Sequence, residues 1–521
     1  MTSLKQYSWL LAWSAFIATL VAALPLLPVD ETRYLTVAWE MRQNGEFLLM
    51  TLNGEPYSHK PPLLFWLINI FWSVFGVNEY APRIMNGLIT AFFIYCVSIL
   101  ERTIYKNQTL LSPWLLLACP LIAVYGDLIM FDCLLACFVA LGITAIYKAA
   151  DTGKFFHYFF LFGLTAGMGV LAKGPVVLVH TLPVILLAPL WSTQARARKA
   201  AWYLAMLAGL VVATIVALGW AIPAALQGGK DFAHELFVTQ SAGRMGNSFD
   251  HYEPLWWYIP LVPVFVLPLL FTKNFWQALR TIQWKESSIT RFLLCWLAPT
   301  FLIFTLMGGK QAHYLIPLLP ALLLLVLPEL QKAKSMFGAY LFYLIFGALI
   351  TLLPFALQML PEKSRTLESF AALSSAIGFF FLSFTVFGYF MLKENKISSL
   401  AFIALLNLAL FGMLYAEVSR TYLRFYDLRP FSAELQKYKN ETLGYARNYQ
   451  GEFGFLARME KPFETMDISA YPAWLDKNKN GIMVLRVKDE EPAHIRQNPK
   501  LEILFEHPYR TDETFVIVKR K

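Results

Sequence analysis

Nine ionisable side chains crowd the segment from Asp30 to Pro62: Asp30, Glu31, Arg33, Glu40, Arg42, Glu46, Glu55, His59 and Lys60. A carboxylate such as Asp30, at the edge of an apolar run, can serve as a general base or orient an acceptor once burial tunes it. The alternative for the Asp30-Glu31 pair is an acidic helix start. In His59-Lys60-Pro61-Pro62 the prolines fix the backbone and start a helix, which presents Lys60 at the boundary. A phosphate is the natural partner of such an ammonium; the alternative is a snorkelling lysine. Lys173 in LAKGPVVL, Arg244 in QSAGRMGN, and Lys310, His313 and Tyr314 in GGKQAHYLIP repeat the pattern, and Asp132 sits by a short turn between apolar runs. Each alone reads as an anchor, a cap or a solvated charge. Together they suit neutralisation of a phosphate leaving group beside a positioned carboxylate.

The elements that must hold these residues are membrane helices. Of 521 residues 57% are hydrophobic and 15% charged, with mean hydropathy +0.50. Soluble domains are about 45–50% apolar and about 25% charged. Apolar runs of about twenty residues recur, enough for about thirteen spans. They fall near 8–28, 81–100, 113–130, 133–150, 156–172, 175–192, 201–222, 256–272, 292–307, 313–328, 339–358, 368–391 and 398–418. The first reads as a retained anchor rather than a signal peptide, because polar residues follow at once without a small-residue cleavage site. Leu63 to Phe75 is half a span and suits a re-entrant or interfacial helix.

Charge sets the orientation. Short loops on one side carry Lys5, Arg102, Lys106, Lys148, Lys154, Arg196, Arg198, Lys199, Lys273, Arg280 and Lys332 with few acids. By the positive-inside rule this side is cytoplasmic. The loops 29–80 and 223–255 then lie outside, as do Lys173 and Lys310. The net charge of +9 is accounted for by the same bias, so no nucleic-acid partner is implied. The five cysteines all lie in apolar runs, without a CxxC pair, and read as inert. No phosphate-cradling Gly-rich motif is present, which argues against a cytoplasmic nucleotide donor.

After residue 419 the composition turns polar. Strand-like runs at Gly481–Val487, Leu501–Phe505 and Thr514–Val518, and a capped helix in DLRPFSAELQKY, predict a small α/β domain over 420–521, outside the membrane. Residues 1–419 form the transmembrane, site-bearing domain. The fold class is mainly α and polytopic.

The runs DETRYLTVAWEM, NGEPYSHKPPLLFWL and FGVNEYAPR resemble the opening of the lipid A aminoarabinose transferase (ArnT) family. That family is grouped with PMT-type protein O-mannosyltransferases in the GT-C class of integral-membrane glycosyltransferases. The resemblance continues through GVLAKGPVVLV, RMGNSFDHYEPLWWYIP and KQAHYLIPLLPALLLL, over roughly residues 8–330. It implies a GT-C fold with a periplasmic active site in the bacterial inner membrane. It also implies inverting transfer of 4-amino-4-deoxy-L-arabinose or a related sugar from undecaprenyl phosphate to lipid A. Asp30, Arg33 and Asp132 match its catalytic acids and adjacent arginine. Tyr34, Tyr57, Lys60, Lys173, Arg244, Lys310 and Tyr314 are the implied substrate-binding set.

Two places depart from that family. His59 stands where Glu is common before the KPP lysine, and Gln240-Ser241 where Glu-His is common. Those places can hold a divalent metal in the family; with His59 alone, no required cofactor and at most a weakly bound metal are expected. Two rivals stand beside this reading. One is transfer of another sugar (hexosamine, uronic acid, mannose) to another lipid, a core sugar or a protein. The other is a lipid-linked-sugar flippase, although flippases and transporters place charge at the bilayer midplane within repeats.

Overall fold

The computed structural model describes residues 7–106, 110–243, 252–282, 284–333, 335–360, 365–392, 396–488 and 495–521. In chain order the principal helices of the first part are α1 Ser8–Ala23, α2 Asp30–Asn44, α3 Leu63–Phe75, α4 Tyr80–Tyr105, α5 Ser112–Ala118, α6 Pro120–Tyr125, α7 Phe131–Thr152, α8 Phe155–Lys173 and α9 Val176–Leu186. They continue as α10 Lys199–His234, α11 Ser288–Leu306, α12 Leu319–Gln331, α13 Phe337–Gln358, α14 Ser375–Leu392 and α15 Lys396–Thr421.

Nine helical stretches among the described residues are long and apolar enough to cross a membrane. The other four expected spans are shorter or broken, and proline explains each. The first stops at Ala23 before Pro25. The stretch 113–130 breaks at Cys119–Pro120 into α5 and α6 and ends in a turn. The stretch 175–192 holds Pro183 within α9, which stops at Leu186. The stretch 256–272 is mostly turns around a five-residue helix, Leu261–Phe265, with Pro260, Pro263 and Pro268 in its path. Each proline removes a backbone donor and crowds the preceding turn.

Close helix packing rests on glycine. A Cβ on Gly163 of α8 would collide with the Gly209 carbonyl of α10, so only small residues permit this approach.

The segment from Asp30 to Pro62 is less of a loop than its polarity suggests. Its first half is α2, because Tyr34, Leu35, Val37, Ala38 and Met41 recur at helical spacing and are buried. Gly45 ends it at φ +65, the left-handed conformation that glycine adopts without strain. A two-residue hairpin follows, β1 Thr51–Leu52 against β2 Glu55–Pro56. Glu40 of α2 accepts from the Thr51 hydroxyl at 2.7 Å and the Asn53 N–H at 2.7 Å, which ties the hairpin down. Pro62 caps α3, as the paired prolines predict.

The C-terminal stretch forms a mixed five-stranded sheet, β3 Leu443–Ala446, β4 Glu464–Met466, β5 Ile482–Lys488, β6 Leu501–Tyr509 and β7 Glu513–Arg520, in the order β4-β3-β5-β7-β6. The three expected strands are β5, β6 and β7. The short β3 and β4, which pair in parallel, were not legible in the sequence. The sheet unit is docked on α2 and the hairpin. Trp39 donates to the Met459 carbonyl at 2.8 Å. Asn53 bonds the Phe463 backbone in both directions at 2.9 and 2.7 Å. Phe455 stacks on Trp72 of α3, ring centroids 5.0 Å apart.

Candidate active site

Asp30 and Glu31 open α2, where negative charge suits the helix dipole. Successive helical residues diverge by about 100°, and these two part accordingly. The Asp30 side chain is 54% exposed and accepts from the Tyr34 hydroxyl at 3.2 Å, with the Arg33 guanidinium at 3.5 Å. Glu31 turns inward and is buried. It accepts the Leu27 N–H at 2.7 Å, the Ile129 N–H at 2.9 Å and Arg83 Nη2 at 2.7 Å.

Glu31 thereby holds the turn that precedes α7. Asn86 donates to the carbonyls of Gly126 and Leu128, and Thr90 to that of Gly126. Arg83 Nη1 stands 3.5 Å from Asp127, and both side chains are buried. Burial, opposed by Arg83 and reinforced by Glu31, pushes the Asp127 carboxyl up to about 7. A cation between two buried acids pins the turn 126–130, and the turn delivers Phe131 and Asp132.

Asp132 lies in the first turn of α7, with its side chain 3% exposed. Lys173, the last residue of α8, donates to it at 2.5 Å. Gly174 (φ +81) then turns the chain back. His313 Nε2 is 3.7 Å from the other Asp132 oxygen, and the Lys173 ammonium lies over the Tyr314 ring, 4.4 Å from its centroid. Lys60 lies over Phe131 at 5.5 Å and acts electrostatically on Asp132. Phe131 is also the hub of an aromatic wall, 4.9 Å from Tyr34 and 5.6 Å from Phe65, with Tyr57 packed on Phe65 and on His59. Burial, then the charges of Asp30, Tyr57 and Asp132, raise the Tyr34 phenol well above its ordinary value, so it remains a donor.

Asp30, Arg33, Tyr34, Tyr57, His59, Lys60, Asp132, Lys173 and Tyr314 are therefore joined by these contacts into one constellation. Lys310 is buried and donates to the Glu253 carbonyl at 2.6 Å. Arg244 lies outside the described residues. The side chains of Gln240 and Ser241 do too. Among the described residues no group of three His, Cys, Asp or Glu side chains could hold a metal ion, and His59 alone does not make a ligand set. No step is routed through a metal.

Sequence reading gave no role to Arg83 or Asn86. An arginine inside a 26-residue apolar helix was the available signal.

Next to Tyr314 opens a cavity of about 300 Å³ with almost wholly apolar walls, among them Leu121, Phe265, Leu297, Phe301, Leu315 and Leu322. The cavity and the constellation share the segment 314–315: Leu315 lines the cavity, and the Tyr314 ring carries the Lys173 ammonium. Such a site can hold an amphiphile by its apolar tail, neutralise charge at its head and orient a second polar reactant.

Comparisons with known proteins place this geometry. A family model described as dolichyl-phosphate-mannose-protein mannosyltransferase matches residues 59–220. The undecaprenyl phosphate-α-4-amino-4-deoxy-L-arabinose arabinosyl transferase of Yersinia enterocolitica is 28% identical over 60% of this chain and 58% of its own length. The matching stretch thus spans less than two thirds of that relative. The transferase of the same name from Pectobacterium carotovorum is 26% identical over 94% of this chain and 97% of its own. Among solved structures, ArnT from Cupriavidus metallidurans bound to undecaprenyl phosphate superposes with TM-score 0.81 at 16% identity, covering 98% of both chains. The archaeal oligosaccharyltransferase AglB from Archaeoglobus fulgidus gives 0.51 at 12% identity, over 94% of this chain and 70% of its own.

Proposed function

We propose that this ArnT-like polytopic membrane protein, with the GT-C fold, is a glycosyltransferase that moves 4-amino-4-deoxy-L-arabinose from undecaprenyl phosphate to lipid A. The observation that carries the reading is the gathering of Asp30, Lys60, Asp132, Lys173 and Tyr314, with an apolar cavity lined by Leu315, the residue after Tyr314. A part of a polyprenyl tail can lie along the apolar cavity while the cations face its phosphate.

In the reaction an acceptor oxygen attacks the anomeric carbon from the face opposite the leaving group. The bond from that carbon to the donor phosphate oxygen breaks, and undecaprenyl phosphate leaves with the electron pair. The anomeric centre inverts. The leaving group is already anionic and needs countercharge more than a proton; Lys60, Arg244 and Lys310 are assigned that task. Lys173 is assigned to hold Asp132 in place, since its charge is spent on that carboxylate. Asp30 orients the acceptor. The Lys and Arg bias at the ends of the spans on the other side, Lys148 and Lys199 among them, supports a site on the periplasmic side of the bacterial inner membrane. No metal is assigned.

The test is reconstitution. Purified protein in vesicles with the aminoarabinose donor and lipid A should yield aminoarabinosylated lipid A by mass spectrometry. Product only with another lipid-linked sugar would move the assignment within the GT-C class. Movement of intact donor across the vesicle without transfer would replace it with a flippase.

A further inference from the structure

The turn 449–455 of the C-terminal sheet unit lies against the start of α2. Gly451, at φ +85, brings its backbone so near that a Cβ there would lie 3.0 Å from the Arg33 Cα. One turn further on, Thr36 closes the contact. Its hydroxyl donates to the Gly451 carbonyl at 2.9 Å and accepts the Phe455 N–H at 3.0 Å.

The residue after Gly451 is Glu452, fully buried. One carboxylate oxygen accepts the Gln450 N–H at 2.8 Å. The other, Oε1, has no hydrogen-bond partner among the described residues. Arg486 stands 4.0 Å from it but is forked onto Glu513 at 2.7 and 3.0 Å. Arg33 has a matching deficit: its Nε is buried without an acceptor among the described residues, while its Nη2 reaches Asp30. The Arg33 charge also acts on Glu452. A buried carboxylate without full pairing is costly, and a nearby guanidinium is what compensates it.

We propose that Glu452 is a positioning residue for sugar transfer: through Arg33 it fixes the Asp30 carboxylate, so the C-terminal unit completes the site. This rests on the reading of Asp30 as the residue that orients the acceptor. The competing role is that of a core counter-ion to Arg486 alone.

Purified full-length protein is assayed with undecaprenyl-phosphate-linked aminoarabinose and lipid A. Glu452→Gln should lower kcat about tenfold, with donor KM unchanged and the thermal midpoint no lower than the wild type's. In an Arg33→Gln background the same substitution should cost nothing more, because coupled residues are not additive. An unchanged kcat, or losses that multiply, would leave Glu452 as Arg486's partner and overturn the proposal. If Glu452→Gln does not fold, Thr36→Val replaces it, with the same expectations. If the wild type transfers nothing, the functional reading has failed, and hydrogen exchange then judges the contact. Amides of residues 30–36 should exchange faster in both variants than in the wild type; unchanged exchange sinks the proposal.

Discussion

Asp30 and Asp132 belong to one constellation under opposite conditions. Asp132 is enclosed and tied to Lys173, so its charge is committed. Asp30 is half exposed, steadied by Tyr34 and Arg33, and free to meet a substrate. Two predictions follow from this difference. Lys60→Ala should lower transfer about 10- to 150-fold while the protein still inserts, because a lost charge-assisted contact to phosphate costs about 1.5–3 kcal/mol; near-normal activity at normal expression removes Lys60 from the mechanism. Asp30→Asn keeps shape and loses charge. With a lipid A phosphate as acceptor there is no proton to remove, so the mutant's deficit should stay flat above the second phosphate ionisation, near pH 6. A mutant rate that climbs about tenfold per pH unit would instead mark a hydroxyl acceptor whose proton must leave first. At this scale much was legible: acid at a boundary, lysine before a proline pair, lysine before Gly-Pro. That Lys173 is spent on Asp132 was not legible. Lys173 reads like Lys60 in sequence, and only the fold brings Asp132 to it.

Between elements, the network that most constrains the site is Glu31–Arg83–Asp127. It joins α2, α4 and the turn before α7, and so sets Asp30 and Asp132 relative to each other. Arg83→Met leaves two buried carboxylates without their cation, a change that typically costs about 3–5 kcal/mol. Adding Glu31→Gln and Asp127→Asn should recover part of that loss, measured as thermal midpoint in detergent; a triple variant no more stable than Arg83→Met would refute the network. Asp127 also predicts a pH trend. Its carboxyl is raised to about 7 in the folded protein, against about 4 in an unfolded chain. The folded state therefore holds the proton more tightly. Its contribution is complete below about pH 4 and is lost as pH rises toward about 7. Asp127→Asn should flatten the fall in thermal midpoint across that window, and parallel wild-type and mutant curves would contradict this. Helix content was readable from apolar spacing, and α3 from its length and prolines. The network was hidden because Glu31 and Arg83 are 52 residues apart, Asp127 lies in a third segment, and a single buried arginine leaves no periodic trace. The docking of the sheet unit on α2 was hidden for another reason. It runs largely through backbone carbonyls, such as those of Gly451, Met459 and Phe463, which side-chain patterns do not encode.

For the whole molecule, the sidedness of charge is the property that decides where the chemistry takes place. The positive-inside rule assigns the Lys- and Arg-rich ends of the spans to one side, and the start of α2, with the hairpin and the sheet unit bonded to it, to the other. The hairpin and the sheet unit are bonded to each other, so topology cannot separate them: both lie outside or neither does. Labelling with a membrane-impermeant maleimide tests this against a clean background, because all five native cysteines are buried and a buried thiol in apolar surroundings is inert. Single cysteines are placed at three exposed positions, Glu55 in the hairpin, Lys479 in the sheet unit and Lys199 at the start of α10. In intact spheroplasts Glu55→Cys and Lys479→Cys should label fully, and Lys199→Cys only after permeabilisation. Labelling of Lys199→Cys alone would invert the protein and move the site to the cytoplasm. Labelling of Glu55→Cys without Lys479→Cys would break the docked contact on α2, and with it the route by which the C-terminal unit reaches Asp30.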